Sequence, residues 1–411
     1  MTLLVNETRI REMIEALEAY TATPGCGTTR PTYSNEHRDA LTYLKAKMEE
    51  AGLTTRIDAV GNLFGRLEGQ ETNLAPVLVG SHIDSVPNGG AFDGPAGVIA
   101  GIETAFTFSK LGTRPRRPIE FVAMIEEEGS RFGGGLLGSR LLTGQVSQEL
   151  LDGMADQKGL KLAEAMSGFG LDPSQALDVA IPVGGIHAFL ELHIEQGPLL
   201  ERNAEDVGIV TSVVSLSQLE VRVTGVAGHA GTTPMAGRKD ALVAAAGLIA
   251  RLPEIVGAVD SDAVATVGRM DVRPGGANVI PDSVEFSIDV RAANAETVET
   301  IKARIREDLS SLEKIDFVVA TEDMIMIPQT PMSHMVREAF IAAAEEIGLK
   351  WRDMASGAGH DAMILSKIAP VGLIFVPSRD GISHTPEEWT DYDQLARGIE
   401  VVFRAARALS A

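Results

Sequence analysis

Cysteine is nearly absent from this sequence, and long apolar runs are absent altogether. Cys26 is the only cysteine among 411 residues, which excludes an intramolecular disulfide and a cluster of thiolate metal ligands. The scarcity also fits a reducing compartment. No stretch approaches the roughly 20 consecutive apolar residues that a membrane-spanning helix needs. We therefore expect no membrane span, and any metal site must use His, Asp and Glu.

Positive charge is scarce too. The chain has 36 Lys and Arg against 57 Asp and Glu, a net charge of −21. A surface of this sign repels phosphate backbones and anionic lipids, so neither nucleic acid nor a membrane is an expected partner. The first 20 residues lack the basic and apolar regions of a secretory signal and instead suggest an amphipathic helix. We expect a cytoplasmic protein.

The length predicts two or three domains. In the first half, helix-like and strand-like patterns alternate: helices are predicted at 37–52 and 97–112, and strands at 75–80 and 119–126. Such alternation is typical of a parallel or mixed sheet that is covered by helices, and it predicts an α/β fold.

The pattern changes near residue 211. Four predicted strands and two predicted helices follow in the order β-α-β-β-α-β, at 216–225, 238–252, 263–272, 282–291, 295–315 and 316–323. This order is the split βαβ arrangement of a ferredoxin-like domain. From about residue 328 the first pattern resumes, with a helix at 335–349 and a strand at 371–378. The sequence thus predicts an α/β domain, 1–211 and 328–411, that is interrupted by an inserted α+β domain, 212–327.

The histidines concentrate where chemistry is expected. Five of the eight lie in Gly-rich or acid-rich segments beside predicted strand ends, namely SHIDS, ELHIEQG, AGHAG, GAGHD and GISHTP. In open α/β sheets, ligands bind outside the carboxyl ends of the strands. His82 follows the predicted strand 75–80 in this position, which makes its loop a candidate site.

The first of these segments pairs His82 with Asp84. Residues two apart on an extended segment point to the same side, so the carboxylate can hold one ring N–H and leave the other nitrogen free for a metal. The alternative is a histidine that a turn aspartate merely satisfies. The segment 190–201 repeats the spacing with His193 and Glu195, and adds Gln196 as a hydrogen-bonding group for a substrate.

Three adjacent glutamates, 126–128, follow the predicted strand at 119–126. Their mutual repulsion favours a solvated loop. Their position at a strand end favours a site instead, in which one carboxylate binds metal and a neighbour takes a proton from metal-bound water. The candidate ligands are enough for two ions of Zn²⁺, Mn²⁺, Co²⁺ or Ni²⁺ if one carboxylate bridges. They are His82, Asp93, Glu128, His193 and His384.

Seven motifs together, HxD, FDGPAG, EEEGSRF, LELHIEQG, GHAGTTPM, GAGHDA and GISHTP, resemble the metal-dependent aminoacylase and carboxypeptidase superfamily. The nearest resemblance is to its branch of N-carbamoyl-L-amino-acid hydrolases, allantoate amidohydrolases and beta-ureidopropionases, and it runs from about residue 34 to 405. It implies a dinuclear-metallopeptidase-like catalytic domain with a central mixed sheet. The inserted domain would act as a lid and as a dimerisation domain, which implies a homodimer.

The resemblance also implies roles for single residues. Two divalent ions per subunit would be held by the five candidate ligands, with Asp93 as the bridge. Glu127 would be the general base that acts on a metal-bridging hydroxide, Asp84 would orient His82, and Glu126 would be a solvated or supporting neighbour.

Further residues would contact the substrate. By resemblance, His229, Asn278 and Arg291 of the inserted domain would reach into the cleft, although Arg291 could equally form a surface ion pair. His360 and Asp361 would line the substrate pocket or support the site.

The resemblance implies a small ureido acid as substrate. The expected reaction cleaves the carbamoyl C–N bond of an N-carbamoyl-L-amino acid and releases amino acid, ammonia and carbon dioxide. The amide of Gln196 could pair with a ureido group, and the segment 131–140 looks more like the carbamoyl-hydrolysing members. Allantoate amidohydrolase and beta-ureidopropionase remain alternatives. An aminoacylase, a dipeptidase or a non-catalytic ligand-binding protein is disfavoured, the last because all five ligands and Glu127 are present.

Overall fold

The structure is a computed structural model, which describes residues 3–411 apart from the side chain of Ile325. The α-helices, α1 to α12 in chain order, are Glu7–Glu18, Asn35–Glu50, Pro95–Leu111, Leu137–Leu142, Gln148–Gly153, Leu162–Phe169, Leu199–Asn203, Ala241–Gly257, Ala295–Glu313, His334–Glu346, Asp361–Leu365 and Tyr392–Leu409. The strands, β1 to β16, are Thr54–Ile57, Leu63–Leu67, Val77–His82, Ile119–Met124, Ala188–Ile194, Val207–Val213, Ser215–Thr224, Gly228–His229, Val264–Thr266, Met270–Arg273, Val279–Ile280, Ser283–Ala292, Val318–Ile327, Thr330–Pro331, Trp351–Ser356 and Val371–Val376. Short 3₁₀ helices lie at Pro173–Val179 and Arg379–Gly381.

The chain forms two compact units. The first comprises the chain up to Thr211 together with Met332–Met354 and Gly359–Ala411. The second comprises Ser212–Pro331 with the short segment Ala355–Ala358. Among the described residues, no helix combines the length and the apolar character that crossing a bilayer requires.

The larger sheet has nine strands in the order β1-β2-β4-β3-β5-β16-β6-β14, with β15 paired to β6. Its four central strands, β4, β3, β5 and β16, run parallel to one another. The flanking pairs β2–β4 and β16–β6 are antiparallel. The sheet is therefore mixed, as the sequence predicted.

The central strands read as continuous apolar runs because both of their faces are covered. Every residue of β3, β5 and β16 is buried, which is the pattern of parallel strands between helical layers. Helices α3 and α12 belong to that cover, and they meet through the rings of Phe108 and Phe403, whose centroids are 5.2 Å apart. Because parallel strands all end at the same edge of the sheet, the loops after β4, β3, β5 and β16 meet there.

The second unit has a five-stranded antiparallel sheet, with four strands in the order β10-β12-β7-β13 and β9 also paired to β12. Alternate residues of β7 and β12 are buried, and they form a core with the apolar faces of α8 and α9. This strand order and the β-α-β-β-α-β succession are those of a ferredoxin-like fold.

One predicted strand of this unit is interrupted. The stretch 263–272 forms β9 and β10, and both pair with β12. Thr266 lies opposite Asp289, and Met270 lies opposite Phe286. Between these two pairs, the stretch that joins β9 to β10 has one residue more than β12. The extra residue is a β-bulge, which alternation in the sequence alone does not reveal.

Candidate metal centre

The candidate site lies where the four central parallel strands end. His82 is the last residue of β3 and His193 the penultimate residue of β5. Glu127 and Glu128 follow β4, and His384 follows β16. Asp93 precedes α3, which begins at Pro95. Residues that are far apart in sequence thus meet because the sheet is parallel at its centre.

Asp93 is the centre of this cluster. One carboxylate oxygen, Oδ1, lies 3.0 Å from Nε2 of His193 and 3.5 Å from Nε2 of His82. The other, Oδ2, lies 3.1 Å from Nε2 of His384. Although burial alone would raise the pKa of Asp93, the adjacent His193, His384 and His82 hold it well below its usual range. The carboxylate is therefore ionised, with one oxygen facing His82 and His193 and the other facing His384.

Two groups of potential metal ligands share Asp93. The first is His82, Asp93 and His193, and the second is Asp93, Glu128 and His384; within each group the ligand atoms lie within 4.8 Å of one another. In the second group, Oε1 of Glu128 is 3.7 Å from Nε2 of His384. Asp84 and Glu127 belong to neither group. Each group could hold a metal ion.

The histidine tautomers suit this role. Nδ1 of His82 lies 3.1 Å from the carbonyl oxygen of Asp84, and Nδ1 of His193 lies 2.9 Å from that of Ile194. A carbonyl oxygen only accepts, so each Nδ1 carries the proton and donates it. Each Nε2 faces the ionised Asp93 carboxylate, at 3.0 Å for His193 and 3.5 Å for His82, and shares a proton with it. A cation bound there would take the place of that proton, so Nε2 is the nitrogen that could bind a metal.

The acids around the site fit cations as well. Burial, helped by the charge of Asp93, raises the pKa of Glu128 to about 7. Burial also raises the pKa of Glu127 well above its usual range, and the nearby Asp361 and Glu128 add to this. Asp361 has its pKa raised to about 7 by burial and by Glu191. Divalent cations among these carboxylates would remove the cost of keeping them ionised.

Gly94 makes room for the His82 ring. Its φ of +84° is in the left-handed region, and a Cβ atom there would lie 2.5 Å from ring atoms of His82. Any side chain at this position would displace the histidine or strain the backbone. The glycine next to Asp93 is therefore needed to bring the loop against His82.

Asp84 holds the glutamate loop more than it holds His82. Its carboxylate accepts hydrogen bonds from the backbone N–H of Glu127 at 3.0 Å and of Glu128 at 3.1 Å. The distance from its Oδ1 to Nδ1 of His82 is longer, 3.6 Å. The imidazole is thus held mainly by the Asp84 carbonyl and not by the carboxylate that the sequence predicted. The buried carboxylate instead connects the β3 loop to the β4 loop.

The three adjacent glutamates are separated by the fold. Glu126, with a φ of +50°, is fully buried and accepts from the backbone N–H of Arg131 and Phe132 at 3.1 and 2.7 Å. Of the two alternatives expected for Glu126, a solvated or a supporting neighbour, its burial excludes the first. Glu127 faces the site, with Oε2 3.8 Å from Nε2 of His82, and Glu128 joins the second ligand group.

The β5 loop places its polar residues differently. Glu195 accepts from the backbone N–H of Leu199 and Leu200 at 2.8 and 2.9 Å and so caps α7 rather than orienting His193. Gln196 donates its side-chain amide to Oδ2 of Asp93 at 2.6 Å. His360 is buried, with its ring 4.6 Å from that of His193.

The remaining predicted contacts lie in the second unit. Nδ1 of His229 accepts from the backbone N–H of Gly231 at 3.0 Å, so its proton is on Nε2. Asn278 is its neighbour through the pairing of β8 with β11 and accepts at its carbonyl from Ala230. Arg291 donates to Asp289 and to the Gly357 carbonyl, both at 2.8 Å.

Sequence reasoning missed two buried glutamates beside the candidate ligands. Glu388 is the second glutamate of PEEW and is bound to the backbone of Asp93. Glu191 accepts from Ser81 at 2.8 Å, one position before His82. Both glutamates lie within four residues of a candidate histidine, and that proximity is the signal that could have found them.

A family model for peptidase family M20/M25/M40 matches residues 78–408. The chain belongs to this family. An N-carbamoyl-L-amino-acid amidohydrolase of Paenarthrobacter aurescens is 42% identical over 402 residues, which cover 98% of this chain and 97% of that protein. A ureidoglycolate hydrolase of Arabidopsis thaliana is 36% identical, covering 100% and 88%. An allantoate amidohydrolase of Bacillus subtilis is 37% identical, covering 96% and 95%.

A solved structure shows the same fold. The crystal structure of a hydantoinase/carbamoylase family amidase from Burkholderia ambifaria matches with a TM-score of 0.91 at 34% identity, covering 100% of this chain and 99% of that one. The relatives are named for the hydrolysis of C–N bonds, and this M20 protein is a hydrolase of that kind. Enzymes of the family are metal-dependent, and the His and Asp groups described above could bind the metal.

Proposed function

We propose that this M20 hydrolase cleaves the carbamoyl C–N bond of N-carbamoyl-L-amino acids and releases amino acid, ammonia and carbon dioxide. The observation that carries the proposal is the pair of ligand groups that share Asp93, with Glu127 beside them and in neither group. Similarity to the Paenarthrobacter enzyme favours the carbamoyl substrate.

The residues proposed to bind two divalent ions, Zn²⁺ or else Mn²⁺, Co²⁺ or Ni²⁺, are the five of the two groups: His82, Asp93, Glu128, His193 and His384. Their neutral imidazoles and carboxylates suit these borderline cations. When bound, such ions polarise a carbonyl oxygen and make a water molecule acidic near neutral pH. Asp93 would be the bridge and Asp84 a ligand to neither ion.

Glu127 is proposed as the general base. Its carboxylate lies beside the ligands, and Asp84 fixes its backbone. It would take a proton from the attacking water as the new C–O bond forms. It would then deliver that proton to the leaving nitrogen as the C–N bond breaks, which returns the carboxylate to its starting state.

Substrate recognition is proposed to use Gln196, His360 and three residues of the second unit, His229, Asn278 and Arg291. The Nε2–H of His229 and the Asn278 amide are donors of the kind that stabilise an oxyanion. A substrate carboxylate would suit the guanidinium of Arg291, which binds carboxylates in a bidentate fork. We also propose a homodimer formed through the second unit, which light scattering of the purified protein would test.

The decisive experiment measures ammonia and amino acid release. Metal-free protein, and protein restored with Zn²⁺, Mn²⁺, Co²⁺ or Ni²⁺, would be given N-carbamoyl-L-methionine, N-carbamoyl-β-alanine, allantoate and ureidoglycolate. We expect N-carbamoyl-L-methionine to be turned over fastest and only after metal is restored. Faster turnover of allantoate would favour the second candidate, which the Bacillus subtilis relative supports. No turnover of any ureido substrate would reject the proposal.

A further inference from the structure

Glu388 joins two loops of the site, the loop before α3 that carries Asp93 and the loop after β16 that carries His384. Its Oε1 accepts from the backbone N–H of Phe92 and of Asp93, both at 3.0 Å. Its Oε2 accepts from the hydroxyl of Ser383 at 2.7 Å and from the backbone N–H of His384 at 3.3 Å. One carboxylate thus binds the backbone of both Asp93 and His384, while none of its own atoms belongs to a ligand group.

The contacts are those of an enclosed residue. Glu388 is 3% exposed, and its neighbour Trp389 packs edge-on against the ring of Phe92, with centroids 5.4 Å apart. A Cβ atom on Gly90 would lie 2.2 Å from Oε1 of Glu388. The carboxylate therefore fills a space that the glycine leaves open, and it has little freedom to move.

The other contacts that join the two loops are made by the side chain of Asp93, whereas Glu388 holds the backbone of both loops. Asp93 and Glu388 are 295 residues apart along the chain. His384 has a φ of +60°, which a non-glycine residue adopts at a cost, so its conformation depends on the surrounding contacts. Ser383 lies between the two carboxylates, with its hydroxyl also 3.1 Å from Oδ2 of Asp93.

We propose that Glu388 is a positioning residue that fixes Asp93 and His384 relative to one another and so sets the affinity of the cation held by Asp93, Glu128 and His384. The inference rests on the proposed two-cation site. The other group shares Asp93 and takes its two remaining ligands, His82 and His193, from strands β3 and β5, so it depends on Glu388 only through Asp93.

The variant Glu388→Gln separates the two functions of the carboxylate. An amide has one accepting oxygen and one donating NH₂ group. The oxygen turns toward the two N–H groups of Phe92 and Asp93, because the opposite orientation would place a donor against both. The NH₂ group then faces the N–H of His384 and repels it, while Asp93 keeps its place.

The experiment titrates metal-free wild type, Glu388→Gln and the control Glu387→Gln with Mn²⁺ and with Zn²⁺ by calorimetry, with metal content checked by mass spectrometry. Glu387 is adjacent but exposed. We expect Glu388→Gln to bind one ion like wild type and the second about 10- to 100-fold more weakly, the range seen when the partners of metal ligands are changed. Glu387→Gln should bind both ions like wild type.

Two outcomes overturn the inference: both ions bind to Glu388→Gln with wild-type affinity, or both are weakened equally in a folded protein. If wild type itself binds fewer than two ions of either metal, the proposed two-cation site fails instead. Near-UV circular dichroism in chelator checks the fold. If Glu388→Gln does not fold, Gly90→Ala takes its place, because its methyl group would displace the carboxylate from both loops. Wild-type affinity of Gly90→Ala for both ions would overturn the inference.

Discussion

The loops after β3 and β5 begin with the same pattern, a histidine followed two residues later by an acid, and they use it differently. Asp84 turns its carboxylate to the backbone of Glu127 and Glu128. Glu195 turns its carboxylate to the start of α7. In both loops the ring Nδ1 is held by a backbone carbonyl and not by the acid of the pattern.

The difference comes from what lies next to each loop. β3 is flanked by β4, whose loop needs acceptors for two backbone N–H groups close to the proposed metal ligands. The β5 chain enters a short helix four residues after Glu195, and the first N–H groups of a helix need acceptors too. The acid therefore goes to the nearest unsatisfied N–H groups. Spacing in sequence does not decide whether an acid supports the site.

The largest expected effect is at Glu127, whose backbone is held by the acid of the β3 loop, Asp84, and which has no counterpart beside the β5 loop acid. Glu127→Gln should lower kcat about a thousandfold, because the amide cannot accept the proton of the attacking water. Steady-state assays of ammonia release would measure this. Because Glu127 is in neither ligand group, the variant should still bind two metal ions.

Glu195→Gln is the matched control for that experiment, since it makes the same substitution in the β5 loop. It should retain nearly the wild-type kcat. Activity of Glu127→Gln within about tenfold of wild type would remove Glu127 as the base, and loss of its metal ions would make it a ligand instead.

The next effect concerns Asp84. Asp84→Asn leaves one acceptor for two N–H groups and places an NH₂ donor against one of them. We expect metal affinity and kcat/KM each to fall by about 10- to 100-fold, as measured by metal titration and by ammonia release. If Asp84→Asn and Glu195→Gln proved equally active, the contrast between the two loops would have no functional meaning.

The sequence predicted much of this arrangement. The α/β class, the mixed sheet and the β-α-β-β-α-β succession followed from hydrophobic periodicity, because buried parallel strands and amphipathic helices have distinct patterns. The candidate histidine ligands stood out because histidine is rare in this chain and five of the eight lie in Gly-rich or acid-rich segments beside predicted strand ends.

The contacts between loops could not be predicted. Glu126, Glu127 and Glu128 are identical in type, and only the positive φ of Glu126 and its hydrogen bonds to Arg131 and Phe132 turn it away from the site. Glu388 resembles its exposed neighbour Glu387 in sequence. Such assignments depend on which backbone N–H groups come near in three dimensions, and that is a property of the packed loops.

His37 contrasts with His82 and His193 because its Nδ1 accepts a hydrogen bond, whereas theirs donate one. Its Nδ1 accepts from the backbone N–H of Tyr33, and burial, helped by Arg30, Arg131 and Arg38, lowers its pKa from 6.5 to about 3. The folded state therefore resists protonation of His37, whereas the unfolded chain takes up a proton below about pH 6.5. The contribution of His37 to the free energy of unfolding is fully present above that pH and is lost as the pH falls toward 3.

At about 1.4 kcal/mol per pH unit, protonation of His37 in the unfolded chain should lower the free energy of unfolding by about 2 kcal/mol between pH 7 and 5. Urea unfolding of metal-free protein at both pH values would measure the loss. His37→Asn keeps an acceptor near the Nδ1 position and cannot be protonated, so its loss should be smaller by about that amount. Parallel pH curves for the two proteins would show that His37 does not titrate as argued.

The smallest expected effect belongs to the acid of the β5 loop. Glu195→Gln retains one acceptor for Leu199 and Leu200, so α7 loses part of its cap, and the free energy of unfolding should fall by about 1 kcal/mol. Chemical denaturation of the metal-free protein measures this, and metal titration should give wild-type affinities. A weaker metal site in Glu195→Gln would mean that the acid supports His193 through α7, and the two loops would then be more alike than their hydrogen bonds indicate.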